Sequence, residues 1–158
     1  MKKLYSEGVY TVQALDDEIQ KNLQIQNVES EVICRNNKRS GNLKRFPAGT
    51  VAEVKESETC VYFLLGLSRF DKELHAHTSD EEYVLSLMKL LEFCNARSQK
   101  YPVVMPLIGA GASETKKSER EILEYIVKLI KMNKILINSD IHIVVRDSGK
   151  ESIAITGL

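Results

Sequence analysis

The sequence has no excess charge of either sign. In 158 residues, 22 Lys and Arg stand against 22 Asp and Glu, for a formal net charge of zero. Proteins that coat nucleic acid or anionic membranes rely on a large positive excess, so the balance argues against that class. Cysteine is scarce: Cys34, Cys60 and Cys94 are the whole set, and no two form a Cys-x-x-Cys pair. That removes zinc ribbons and thioredoxin-type motifs, and an odd, sparse set suits a reducing compartment. All three read as core or near-surface residues. Long apolar runs are also missing. The longest, near residues 61–67, is far short of the about 20 residues needed to cross a bilayer. Met1-Lys2-Lys3 is followed by Leu4-Tyr5-Ser6-Glu7, not by the apolar core of a signal peptide. The expectation is a cytoplasmic chain with no nucleic-acid partner and no membrane segment.

What is present suits one globular domain. Hydrophobic residues make up 43% and charged residues 28%, which is ordinary for a folded chain, and the length supports a single core. Residues 1–158 are read as one domain without internal repeats. The polar, basic stretch at residues 35–43, with its Asn, Ser and Gly, reads as an exposed loop within it.

Apolar spacing places a first helix over residues 12–26, with Leu15, Ile19 and Leu23 on one face. Asp16, Asp17 and Glu18 are expected in its first turns, where the helix dipole favours negative charge. A short strand is expected at residues 31–34, and another at 51–55 after the turn Phe46-Pro47-Ala48-Gly49-Thr50. The near-continuous apolar run at residues 59–67 suits a strand buried on both faces. Ser79-Asp80-Glu81-Glu82 has the form of a capping box and opens a second helix, with Val84, Leu87, Leu91 and Cys94 at helical spacing. Residues 101–106 read as a short buried strand. Ser118-Glu119-Arg120-Glu121 is a second capping box, followed by Ile122, Ile126, Leu129 and Ile130 on one face. Residues 140–146 and 151–155 are strand candidates around a turn at 147–150. Strands alternating with helices indicate an α/β sandwich, with several strands parallel and covered on both faces.

The segment most suited to binding is Val103-Val104-Met105-Pro106-Leu107-Ile108-Gly109-Ala110-Gly111-Ala112-Ser113. A strand runs into Gly-Ala-Gly and a helix follows. Glycines let the backbone turn sharply and come close to a ligand. Successive N–H groups can then converge on phosphate oxygens near the positive end of the following helix. No Gly-Lys-Ser/Thr follows, so this is not a P-loop, and Glu114 stands where the last glycine of Gly-x-Gly-x-x-Gly would be.

Pro-Leu-Ile-Gly-Ala-Gly after a Val-Val strand, followed by a helix and an Ile-Val-Val strand, resembles the macro domain family. The stretch Arg45-Phe46-Pro47-Ala48-Gly49-Thr50-Val51, the Tyr62-Phe63-Leu64-Leu65 strand and the exit Ser68-Arg69-Phe70-Asp71 are similar to one branch in particular. That branch is the macro-like domain of bacterial antiphage Thoeris effectors, which recognises a signalling nucleotide derived from NAD. The resemblance covers roughly residues 44–146. It implies a three-layer α/β sandwich with a mixed, largely parallel sheet. It also implies that Gly109, Ala110, Gly111, Ala112 and Ser113 form the loop that holds the diphosphate of an ADP-ribose-like ligand. Ser6-Glu7-Gly8-Val9-Tyr10 would match the other ligand loop, with Gly8 and Val9 at its centre. Arg146 and Asp147, just past a strand, are read first as a solvated strand end, with bordering the distal ribose or base as the alternative. The chain departs from the family in lacking a Gly-Asp-Ile-type segment and an Asn-Ala-Ala-Asn-type segment. A domain that is short at its N-terminus, or divergent, is the expectation.

The function this resemblance implies is a binding module for an ADP-ribose-like or NAD-derived nucleotide in antiphage defence. It would act without a catalytic residue, a metal or a bound cofactor, and report to an effector domain or to another copy of the chain. The alternatives are an ADP-ribosyl hydrolase on the same fold and a protein-interaction domain without ligand. Other features read more plainly. His75-Ala76-His77 is taken as a loop with incidental histidines, and His142 as a partly exposed strand position. Lys38, Arg39, Lys44 and Arg45 are taken as a solvated basic patch beside Phe46.

Overall fold

Thr11 starts the first helix: its hydroxyl accepts the Ala14 N–H at 3.1 Å, the usual device for an orphan first-turn donor. The computed structural model describes residues 11–39, 41–110, 117–132 and 137–146. Helix α1 spans Val12–Ile25 and buries Leu15 and Leu23. Because it begins at Val12, its first turn contains no acidic residue, contrary to the dipole role expected of Asp16, Asp17 and Glu18. Those side chains work locally instead. Asp17 accepts Gln13 Nε2 at 2.8 Å. Asp16 accepts Gln20 Nε2 at 2.8 Å and Asn42 Nδ2 at 3.1 Å.

Strand β1 (Glu31–Val32) pairs antiparallel with β2 (Lys44–Arg45). Between them Arg35–Asn37 form a 3-10 turn. Lys38 Nζ donates to the Asn42 carbonyl at 2.6 Å and Arg45 pairs with Glu31 at 3.1 Å, so two of the four cations of the basic patch are engaged within their own neighbourhood.

Strands β3 (Val51–Lys55) and β4 (Val61–Leu65) form an antiparallel hairpin from Val51↔Leu65 to Lys55↔Val61. The hairpin separates two apolar clusters. Phe63 and Leu65 pack on the larger one, while Tyr62 and Leu64 pack with Leu15 and Val54 on the smaller. Apolar residues therefore occupy both faces of β4, as its continuous run implied. Full burial does not follow, since Val61 is 44% exposed and β4 has β3 as its one sheet partner among the described residues. On its other edge β3 is covered by α1: the Glu53 N–H donates to Asn22 Oδ1 at 2.8 Å, and Gln26 Nε2 donates to the Val51 carbonyl at 3.1 Å. A sheet edge left with open N–H and C=O groups is a liability, and these two amide side chains satisfy one group of each kind on it.

Strands β5 (Arg69–Phe70) and β6 (Ala76–His77) form a small antiparallel pair ahead of the long helix α2 (Asp80–Arg97). The capping box at Ser79 is complete: Ser79 Oγ accepts the Glu82 N–H at 3.1 Å, and Glu82 Oε2 accepts the Ser79 N–H at 3.2 Å. Leu87, Leu91 and Cys94 are buried as the spacing indicated and Tyr83, Leu90 and Ser86 join them, whereas Val84 is only half-buried. Burial pushes the Cys94 thiol up to about 11, so it remains a protonated core residue.

Strand β7 (Val103–Pro106), helix α3 (Glu119–Met132) and strand β8 (Ile141–Val144) make a β-α-β unit, in which β7 and β8 are parallel from Val103↔Ile141 to Pro106↔Val144. The second capping box is also formed, Ser118 Oγ accepting the Glu121 N–H at 3.3 Å while the Glu121 carboxylate accepts the Ser118 N–H at 2.8 Å. Ile122, Leu123, Ile126 and Leu129 of α3 pack with Met105, Leu107 and the buried face of α2. Phe63 and Phe93 meet edge to face across this core, with centroids 5.2 Å apart. Strand β7 is not a buried strand: Val104 on its outer face is 67% exposed.

The chain is a mixed α/β protein. Its described strands form four two-stranded pairs, three antiparallel and one parallel, rather than one largely parallel sheet. The connections explain this. The β3–β4 and β5–β6 links are only a few residues long, and short links join antiparallel strands, whereas parallel strands need a crossover of the kind α3 supplies. The expected strand at 151–155 and the turn at 147–150 lie outside the described residues.

Candidate functional site

At the carboxyl end of β7 the chain turns over Leu107-Ile108-Gly109-Ala110. The Ala110 N–H donates to the Leu107 carbonyl at 3.1 Å, and Gly109, third in the turn, has φ +95°. Ile108 does not have a positive φ. This is a type II turn, which requires a residue tolerant of positive φ at its third position. Glycine is thus demanded by backbone geometry here. The same arrangement recurs at Pro47-Ala48-Gly49-Thr50, where Thr50 N donates to the Pro47 carbonyl at 3.2 Å and Gly49 has φ +81°.

The glycine turn is fastened to the start of α2. Tyr83, in the first turn of α2 and 3% exposed, donates its hydroxyl to the Ile108 carbonyl at 2.6 Å. Its ring lies 5.9 Å from that of Tyr125 on α3. Burial, then the neighbouring Tyr125, pushes the Tyr83 phenol up to about 12, so it remains a donor through the physiological range. Further along, Lys117 pairs with Asp80, while Arg69 pairs with Glu82. The acidic first turn of α2 is therefore met by one cation from the β5 side and one from just ahead of α3.

The parallel register of β7 and β8 brings the residues after Val144 to the same end of the pair as the glycine turn. Arg146, which is exposed, follows there. Ligands of α/β folds gather at this carboxyl end of the strands. Of the residues expected to bind, Gly109 and Ala110 are thus placed at this end and Arg146 beside it. Gly8, Val9, Gly111, Ala112, Ser113 and Asp147 lie outside the described residues. The Ala110 N–H already donates inside the turn.

A second polar cluster was not read from the sequence as a unit. The β5–β6 link is organised by Asp71. Its Oδ1 accepts the N–H groups of Glu73 at 3.0 Å and His75 at 2.9 Å. Its Oδ2 lies 2.9 Å from His77 Nε2 and 3.5 Å from His75 Nδ1. The His77 contact, followed by the His75 N–H, holds the Asp71 carboxyl down at about 2. Asp71 therefore explains both histidines as parts of a structured link. Among the described residues no group of three or more His, Cys, Asp or Glu is arranged to hold a metal ion, and no helix is long and apolar enough to cross a membrane.

Tyr83 is the site residue that sequence reasoning passed over. The available signal was its spacing: Tyr83, Leu87 and Leu91 recur every four residues, and an aromatic hydroxyl on a buried face needs a polar partner.

A family model described as Thoeris protein ThsA, Macro domain, matches residues 1–146. The match reaches back beyond residues 44–146, over which the sequence resemblance was read. No curated protein matches the chain.

Proposed function

The chain belongs to the macro domain family of Thoeris ThsA proteins, and from that premise we propose that it is a nucleotide-sensing module of antiphage defence. Its ligand is an ADP-ribose-like or NAD-derived nucleotide, held at the carboxyl end of the β7–β8 pair. The observation that carries this reading is the type II turn at Gly109, set between a parallel strand and α3. Backbone amides from Gly109 to Ser113 receive the diphosphate, and Arg146 supplies a cation at the same end. Because the Ala110 N–H is engaged with the Leu107 carbonyl, the amides of Gly111, Ala112 and Ser113 are the principal donors. Gly8 and Val9 contribute as the other ligand loop that the family resemblance implies. Family membership further implies that the strand pairs belong to a three-layer sandwich, and that the bound state is reported to an effector domain or to a second copy of the chain.

Neutral N–H groups suit a chain without net charge. A diphosphate can be bound by converging backbone dipoles at a helix start, without the broad basic surface that a polyanion requires.

A thermal-shift panel over ADP-ribose, cyclic ADP-ribose forms, histidine-conjugated ADP-ribose, NAD and ATP tests the reading. A ligand that binds only the folded state adds about 2.7 kcal/mol at one hundred times its Kd, which is a readily measured rise in Tm. The expected result is a rise with at least one ADP-ribose-containing compound, which is recovered unchanged after incubation. No shift with any of them sinks the proposal, and turnover of the compound or of ADP-ribosylated protein converts it to a hydrolase.

A further inference from the structure

We infer that Tyr83 is a positioning residue that fixes which way the Ile108–Gly109 peptide faces. Ile108 and Gly109 are the two central residues of the turn, so the peptide that joins them is the unit whose rotation by about half a turn interconverts type II and type I turns. Its carbonyl oxygen is the atom that receives the Tyr83 hydroxyl, at 2.6 Å. Since a trans peptide is planar with C=O and N–H on opposite sides, one hydrogen bond to that oxygen sets the direction of the whole unit.

The donor is well anchored. The Tyr83 N–H makes the first backbone bond of α2, to the Ser79 carbonyl at 2.9 Å. The Ser79–Glu82 capping box fixes that turn of helix, and the phenol ring is packed against Tyr125. A buried phenol without its acceptor would be costly, so this contact selects the type II form and, with it, the positive φ of Gly109. In the type I form residue 109 would have φ near −90°, and any side chain would be accepted there.

The consequence for ligand binding rests on the function proposed above. With the latch in place, the electronegative Ile108 oxygen is held toward α2. After rotation it would project from the opposite side of the turn and repel an anion seated there.

A double-mutant cycle in the full chain separates the latch from the ligand. Gly109→Ala alone forces a side chain into positive φ and should lower Tm by about 3 °C. In a Tyr83→Phe background, where that hydrogen bond no longer favours type II, the same change should cost less than about 1 °C. Such non-additivity supports the latch. Equal costs in the two backgrounds overturn it, whatever the ligand. In parallel, Tyr83→Phe should weaken ADP-ribose binding about tenfold by calorimetry. Undiminished affinity in the Phe variant overturns the ligand consequence. Absence of binding by the unsubstituted protein overturns the proposed function and that consequence together, while the cycle still decides the latch.

Discussion

The side chain of Asn22 on α1 accepts the backbone N–H of Glu53 on β3, at 2.8 Å. A helix side chain thereby supplies an acceptor on an edge where no strand pairs among the described residues. Asn22→Ala leaves that N–H without its acceptor and should cost about 1–3 kcal/mol. Chemical denaturation measures the loss, and an unchanged midpoint would show that water replaces the amide at no cost.

Gly49 is both conformationally and sterically required. Its φ is +81°, and a Cβ there would lie 2.7 Å from Lys89 Cδ and 3.0 Å from Ser86 Cα of α2. The lysine tip can move, whereas the helix backbone cannot do so cheaply. Gly49→Ala should therefore destabilise by more than about 1 kcal/mol, and thermal melts of the two proteins decide the matter.

Ile126, 1% exposed, sits at the centre of the α3 face. Truncation to Ala removes contacts on all sides and should lower stability by about 2–5 kcal/mol. The exposed Val104 provides the control: Val104→Ala should change stability by less than about 0.5 kcal/mol.

The Asp71 carboxyl is held below its ordinary value of 3.8, at about 2, chiefly by His77. A depressed folded value means that the contribution is fully present above about pH 4 and is lost as the pH falls through about 2. Asp71→Asn should remove this part of the acid dependence. Thermal melts from pH 2 to pH 5 on both proteins provide the measurement.

At the proposed ligand loop, Gly111→Glu places a carboxylate where a diphosphate is expected. Binding of ADP-ribose should fall by more than about tenfold, through like-charge repulsion, with Tm in the absence of ligand changed little. Retained affinity would locate the diphosphate elsewhere.

The parts of the fold that were legible are those whose causes are local. The Ser79 and Ser118 caps and the apolar faces led by Leu87 and Ile126 are fixed by residues three or four positions apart, and they appear as read. Strand pairing was not legible. Whether residues 59–67 are buried depends on what stands beside them, and sequence spacing does not encode a strand's neighbours. Asp16 illustrates a boundary effect: the helix starts far enough upstream that the carboxylate leaves the first turn and meets Asn42 instead. At the candidate site the glycines were legible as turn formers. The Tyr83 anchor was not, because its acceptor is a carbonyl twenty-five residues away.

The β3–β4 hairpin divides the apolar interior unequally. Among the described residues, twelve buried ones on one side draw on α2, α3, β3, β7 and the segment after β7, and on the other Leu15 and Val54 are the buried members of their cluster. Opening free energies follow such differences in local burial. Helix α1 can therefore peel from the hairpin while the α2–α3 core remains closed. The amides of α1 should exchange with solvent through this partial opening, and those of α3 only when the whole domain unfolds.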